Sequence, residues 1–268
     1  MSQLRRIVRP FVPKTILRIR EHLIWVRTWA RIRQQYGQLS VAEAFTQTYS
    51  NKLWGGIEGN EFFSGFGSLD RFAKPYVEWL TGFIAERGIK NIVDLGCGDF
   101  QIGQKICSAN SVNFTGVDIV PDLIKFNQSQ YANATISFTC ADIIKDELPD
   151  GDICLIRQVL QHLSNSQISR VLANCTKFPY LVVTEDIYCG VRMRPNVDIM
   201  HGPDNRLHKR SGVFLDKAPF CLETESVLEI PCPEFSSVIR TCLIERARER
   251  QLKTVPAVSA SSLTRRTD

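Results

Sequence analysis

Val93-Asp94-Leu95-Gly96-Cys97-Gly98-Asp99 closes an apolar run with two glycines and opens onto a helix-compatible stretch at 101–109. A strand that breaks into a glycine turn before a helix lets the backbone approach a ligand closely. In open α/β sheets this happens at the carboxyl ends of parallel strands, where nucleotides bind. The dinucleotide fingerprint needs a third glycine three places beyond the second. That place holds Gln101 and the next glycine is Gly103, so the nicotinamide pattern fails. Asp94 and Asp99 would also repel a diphosphate; they suit a ligand that carries positive charge.

Outward from this turn, short β-rich runs alternate with amphipathic helical stretches from 91 to 187, which predicts βαβ units and a parallel sheet. The expected strands are 91–96, 113–119, 136–142, 152–158 and 180–187. The expected helices are 101–109, 122–131 and 166–175, the last capped by Ser164 or Asn165. The second strand ends at Gly116-Val117-Asp118, where a carboxylate can accept hydrogen bonds from both ribose hydroxyls. The third ends in Cys140-Ala141-Asp142-Ile143, an acid for an adenine amino group beside an apolar side chain to cover its ring. Singly, Asp118 and Asp142 read equally well as acids that cap turns after strands. Three acids in order along one sheet edge favour a nucleoside site.

These residues resemble the class I S-adenosylmethionine-dependent methyltransferases over roughly 75–187, through the glycine motif at Val93–Gly98, the ribose acid Asp118 and the adenine contact Asp142-Ile143. The resemblance implies a Rossmann-like α/β fold, doubly wound, with a mostly parallel seven-stranded sheet. The stretches at 226–231 and 237–245 become its last strands, the final one antiparallel. It implies S-adenosyl-L-methionine as cofactor, with Asp94 and the backbone of Gly96, Cys97 and Gly98 at the methionine portion. Asp118 and Ile119 would meet the ribose, Asp142 and Ile143 the adenine, and Arg157 and Gln158 would line the same pocket.

Methyl transfer from a sulfonium is an in-line displacement in which alignment supplies much of the rate. A hydroxyl or ammonium acceptor must lose a proton, for which a histidine near neutral pKa is the usual device. The fourth strand runs on through Val159-Leu160-Gln161-His162, so His162 is the expected base; its other reading is a backbone hydrogen bond that steadies the turn. DNA amine methyltransferases carry an Asn/Asp-Pro-Pro-aromatic motif where this chain reads Arg157-Gln158-Val159-Leu160, which disfavours a nucleic-acid acceptor. The segment 189–220, rich in Pro, Gly, Asp, Arg and His, is expected to be an acceptor-recognition loop or a disordered insert. Glu185 stands at its approach, and His201, Asp204, Arg206 and His208 lie within it. Their spacing matches no metal-ligand pattern, and no metal is expected.

The remainder bounds the organisation. The 268 residues, 44% hydrophobic and 23% charged, suffice for one sizeable core. The net charge of +5 is unevenly spread, because 1–36 holds eight arginines and Lys14 against Glu21 alone. Ile16, Ile19, Leu23, Val26 and Ala30 form one helical stripe, with Trp25 and Trp29 on another side. This helical arm either meets anionic lipid at the inner face of a membrane or docks on the body or a partner. A glycine-rich lid or connector at 37–74, a methyltransferase domain at 75–246 and a flexible tail at 247–268 complete the division. Nine scattered cysteines without a Cys-x-x-Cys pair read as reduced thiols, and the lack of a signal segment or long apolar run reads as cytoplasmic. The expected activity is methyl transfer to a hydroxyl or amine of a small molecule or glycan. Its rivals are a protein or RNA methyltransferase and a non-catalytic, membrane-associated cofactor-binding module.

Overall fold

The computed structural model describes residues 27–246 apart from Ile57 and Asn60. The expectations for Ile16, Ile19, Leu23, Trp25 and Val26, and for the tail at 247–268, lie outside the described residues. Residues 27–36 are helical (α1), followed by α2 (Val41–Ser50) and α3 (Asp70–Arg87). Strands and helices then alternate as β1 (Asn91–Leu95), α4 (Gln101–Ala109), β2 (Asn113–Asp118), α5 (Pro121–Tyr131) and β3 (Ile136–Cys140). The chain continues through β4 (Ile153–Arg157), α6 (Asn165–Asn174), β5 (Tyr180–Tyr188), β6 (Glu225–Cys232) and β7 (Ser237–Glu245).

The seven strands form one sheet in the order β3-β2-β1-β4-β5-β7-β6. The first five run parallel, and β7 inserts antiparallel between β5 and β6. Alternate side chains of the central strands fill two cores, one on each face. Val93, Leu95, Val117, Ile156 and Val183 pack toward α5 and α6. Ile92, Phe114, Ile153, Leu155 and Val182 pack toward α3 and α4. Each fully buried apolar side chain of this kind contributes about 2 kcal/mol.

Local signals explain most helix starts. Ser40 and Glu43 close a capping box on α2, as Ser164 and Gln167 do on α6, so Ser164 rather than Asn165 is the cap. Pro121 sits in the first turn of α5, where its missing N–H costs nothing. By contrast α3 carries Pro75 in its interior, and the boundary expected at 74/75 falls inside this helix.

Two expectations are corrected by tertiary contacts. In α1 the side chains turned inward are Trp29, Ile32, Arg33 and Tyr36, whereas Ala30, expected on the apolar stripe, is exposed. The segment after β5 is packed rather than disordered. Asn196, buried, accepts from Phe214 N (2.7 Å) and donates to Phe214 O and Ala218 O (2.8 Å each), and Ile187 bridges to Gly212. All nine cysteines are unpaired. Among the described residues no helix is long and apolar enough to cross a membrane.

Candidate cofactor and acceptor site

Pleat parity assembles one wall of the site. In β2, Asp118 shares a face with Phe114; in β1, Asp94 with Ile92; in β4, Arg157 with Ile153 and Leu155; in β5, Asp186 with Val182. Register carries the alternation across neighbouring strands, since Asp94 pairs with Leu155 and Arg157 with Thr184. Three carboxylates and one guanidinium therefore emerge side by side at the carboxyl ends of adjacent strands.

The glycine turn supplies the adjoining surface. Gly96 and Gly98 lie at φ 76° and 56°, the left-handed region. A Cβ on Gly96 would come within 2.3 Å of Val159 Cγ2, and one on Gly98 within 2.2 Å of Ser64 Oγ. Neither conformation nor space admits a side chain. Asp118 fixes the turn by accepting from Gly98 N and Val120 N, both at 3.1 Å. Asp99 also borders the cavity, but its carboxylate is engaged: it accepts from Ser64 N (3.1 Å) and Gln101 Nε2 (2.6 Å), while its own N–H donates to Ser64 Oγ (2.7 Å). The segment from Ser64 to Ser68 is thereby clasped against the turn, and Arg157 Nη2 anchors it again by donating to Gly67 O at 2.8 Å.

A cavity of about 380 Å³ lies between these parts. Every residue expected to hold cofactor borders it: Asp94 and Gly96 to Gly98 after β1, Asp118 and Ile119 after β2, Asp142 and Ile143 after β3, Arg157 and Gln158 after β4. His162 borders it too. The opposite wall is aromatic, from Trp29, Phe45, Tyr49 and Trp54. The ring of Trp54 stands 5.0 Å from that of His162.

Burial sets the electrostatics. It raises Asp94 to about 7 against the opposing pull of Arg157, and raises Asp118 to about 6 against its backbone donors. Asp186 rises to about 6 by the same cause, again opposed by Arg157. Burial also drives His162 down to about 4, so its ring is neutral at pH 7. With His162 Nδ1 2.9 Å from the carbonyl of Asp204, the proton belongs on Nδ1, and Nε2 is the ring's acceptor, 3.3 Å from Gln161 Nε2.

The loop residues divide. Asp204 borders the cavity, and its carboxylate lies 2.8 Å from Arg33 Nε and 3.3 Å from His208 Nδ1. Glu185, His201, Arg206 and His208 do not border it. Glu185 is on the opposite pleat to Asp186 and accepts from the N–H groups of Val159, Leu160 and Gln161. Arg206, 1% exposed, donates to Leu160 O, Leu163 O and Asn165 Oδ1, which pins the turn that carries His162. His201 is held between Gln167 and Leu39 O. The expectation that Glu185, His201 and Arg206 line the acceptor's cavity is corrected accordingly, while His208 lines a separate cleft. Asp186, Tyr76, Phe45 and Tyr49 are among the residues sequence reading missed; counting two places on from Val182 and Thr184 would have selected Asp186 over Glu185.

The fit to S-adenosylmethionine rests on one unmet need. Arg157 Nε is shut off from solvent without a hydrogen-bond partner, beside a carboxylate that burial leaves easily protonated. An amino acid zwitterion answers both, its carboxylate to Arg157 and its ammonium to Asp94. Among the described residues no group of His, Cys, Asp and Glu side chains is placed to hold a metal ion.

A family model described as a methyltransferase domain matches residues 92–178. Among solved structures, human N-acetylserotonin methyltransferase in complex with S-adenosylmethionine aligns at 15% identity and TM-score 0.44, over 82% of this chain and 66% of that one. The N-methyltransferase NodS of Bradyrhizobium japonicum WM9, in complex with S-adenosyl-L-homocysteine, aligns at 15% identity and TM-score 0.48, over 65% of this chain and 87% of that one. The mitomycin 7-O-methyltransferase MmcR aligns at 15% identity and TM-score 0.41, over 65% of this chain and 54% of that one. The chain thus spans about two thirds of the human enzyme's length and about half of the mitomycin enzyme's. No curated protein matches the sequence.

Proposed function

We propose that the chain, whose residues 92–178 match a methyltransferase-domain model, is a class I, S-adenosylmethionine-dependent enzyme that methylates a hydroxyl or amine of a small molecule or glycan. The observation that carries this reading is the single cavity in which the strand-end acids and the glycine turn meet an aromatic chamber holding His162. When bound, S-adenosylmethionine supplies a methyl group made electrophilic by its sulfonium.

The roles of the chain's own residues follow from position. Asp94 accepts from the ammonium and Arg157 donates to the carboxylate of the methionine portion. Asp118, already fixed by two backbone donors, presents its remaining lone pairs to the ribose. Asp142 and Ile143 close the adenine end. Phe45 and Trp54 stack against the acceptor and exclude water, which suits a flat apolar ring or the C–H face of a sugar. His162 takes the acceptor's proton at Nε2 in exchange for the bond from Gln161 Nε2, while the Asp204 carbonyl holds its Nδ1–H; with burial holding the ring at about 4, it serves as a weak base that acts as the methyl transfers. The segment from Ser64 to Ser68 serves as a lid over the cofactor.

Isothermal calorimetry with S-adenosylhomocysteine and a methyl-transfer assay with labelled donor test the proposal. Asp118→Ala is expected to weaken cofactor binding about tenfold or more, the loss expected where a charged hydrogen-bond acceptor is removed. His162→Ala is expected to lower turnover about a hundredfold, with cofactor affinity within a few fold of the parent. Parent protein that gives no heat with S-adenosylhomocysteine would sink the proposal.

A further inference from the structure

A second cleft of different chemistry is joined to the cofactor cavity through the contact of His208 with Asp204. It is about 480 Å³ and is lined by Arg192, Met193, Arg194, His208, Lys209 and Arg210. Two turns form it, tied by Arg194 N donating to Arg210 O at 3.0 Å. Among the described residues none of the three arginines meets an acidic side chain, and Lys209 Nζ is bonded only to the backbone carbonyl of Asp198. Four cationic groups thus converge without compensating carboxylates, at a cost in mutual repulsion that folding does not require.

The backbone carries an independent signal. Arg192 and Arg210 both sit in the left-handed region, at φ 58° and 55°. Glycine would occupy either place without strain, yet each holds a long cation on one rim of the cleft. Met193, which lines the cleft, and its chain neighbour Val191 are exposed (40% and 79%). One residue pair joins the cleft to the cavity, since His208 lines the first, Asp204 lines the second, and their side chains meet at 3.3 Å.

We infer that this cleft binds a diphosphate group carried by the methyl acceptor. A single carboxylate would leave most of the charge of three guanidinium groups and one ammonium uncompensated, whereas a diphosphate offers several oxygens to planar forks. The acid-lined cofactor cavity repels such a group, so the two anionic and cationic tasks are divided between adjoining clefts. That the diphosphate belongs to the methyl acceptor rests on the methyl-transfer reading above; the anion site itself does not. Two sources share this chemistry, a soluble nucleoside diphosphate and a lipid diphosphate.

The test uses full-length protein and inorganic pyrophosphate as probe, by calorimetry at fixed salt. The parent is expected to bind pyrophosphate saturably and more tightly than orthophosphate. The double variant Arg192→Gly with Arg210→Gly keeps both backbone conformations, so its melting temperature is expected to stay at or above the parent's while pyrophosphate affinity falls about tenfold or more. Its affinity for S-adenosylhomocysteine is expected to be unchanged. Uridine diphosphate in solution and farnesyl diphosphate in phosphatidylcholine vesicles then separate the sources, and preference for either supports the site. Parent protein that binds S-adenosylhomocysteine but not pyrophosphate overturns the inference, as does a folded double variant that binds pyrophosphate like the parent. Failure of S-adenosylhomocysteine to bind, with pyrophosphate bound and lost in the variant, would instead count against the methyl-transfer reading alone.

Discussion

Arg157 is the residue on which position and chemistry depend most closely. It stands at the last place of β4, over the ring of Tyr76 at 5.2 Å, with one nitrogen spent on Gly67 O and another unsatisfied. If its task is the cofactor's carboxylate, Arg157→Gln should cost about 1.5–3 kcal/mol in S-adenosylhomocysteine binding, roughly tenfold to a hundredfold in Kd. The analogue that keeps the amine and lacks the carboxylate should bind parent and variant alike. Equal losses for both ligands in calorimetry would reduce Arg157 to a brace for Gly67. The sequence showed this arginine because it follows an apolar strand directly. It did not show Asp186, since two adjacent acids at the end of β5 look alike until the pleat assigns one to each face. Nor did it show that Asp99, a carboxylate in the same turn, is engaged by Ser64 and Gln101.

Elements were legible wherever a local period governed them. All seven strands and the helices α4, α5 and α6 fall within a few residues of their expected bounds, because apolar alternation and capping residues are nearest-neighbour signals. The helix α3 was not, as Pro75 and Gly82 interrupt its pattern and its stability comes from packing Tyr76, Leu80 and Phe83 on the sheet. The segment after β5 was illegible for the opposite reason: polar side chains, Asn196 and Arg206, act there as core. Arg206→Ala removes the donors to two buried carbonyls and to Asn165, and each orphaned acceptor costs about 1–3 kcal/mol. Urea denaturation should therefore show a loss of about 3 kcal/mol or more. The turn Leu160–His162 should loosen with it, so turnover is expected to fall further than the affinity for S-adenosylhomocysteine. A variant as stable as the parent would return Arg206 to the role of acceptor ligand that its sequence context suggested.

For the whole molecule, the site's buried acids set the pH dependence of stability. Asp94 at about 7, Asp118 and Asp186 at about 6 and Glu185 at about 8 all lie above the range near 4 that they take when unfolded. The folded chain then holds more protons than the unfolded one, and stability falls as pH rises through these values. His162 acts the other way, because its folded value near 4 lies below its unfolded one; its contribution is complete above about pH 6.5. Between pH 6.5 and 8 Asp94 and Glu185 remain to titrate, so the melting temperature of cofactor-free protein is expected to decline across that window. An ammonium beside Asp94 favours its ionised form and releases the proton on binding. S-adenosylhomocysteine at a fixed concentration, a hundred times its Kd at pH 6.5, should add about 2.7 kcal/mol there, and its increment in melting temperature should be larger at pH 8, where Asp94 is already ionised and the Kd is lower. Glu185, behind the turn and out of the ligand's reach, should keep part of the decline even then. Differential scanning fluorimetry at the two pH values, with and without ligand, separates the two acids. An increment independent of pH would remove Asp94 from the ammonium, while an absent decline would show that the folded site keeps its acids ionised.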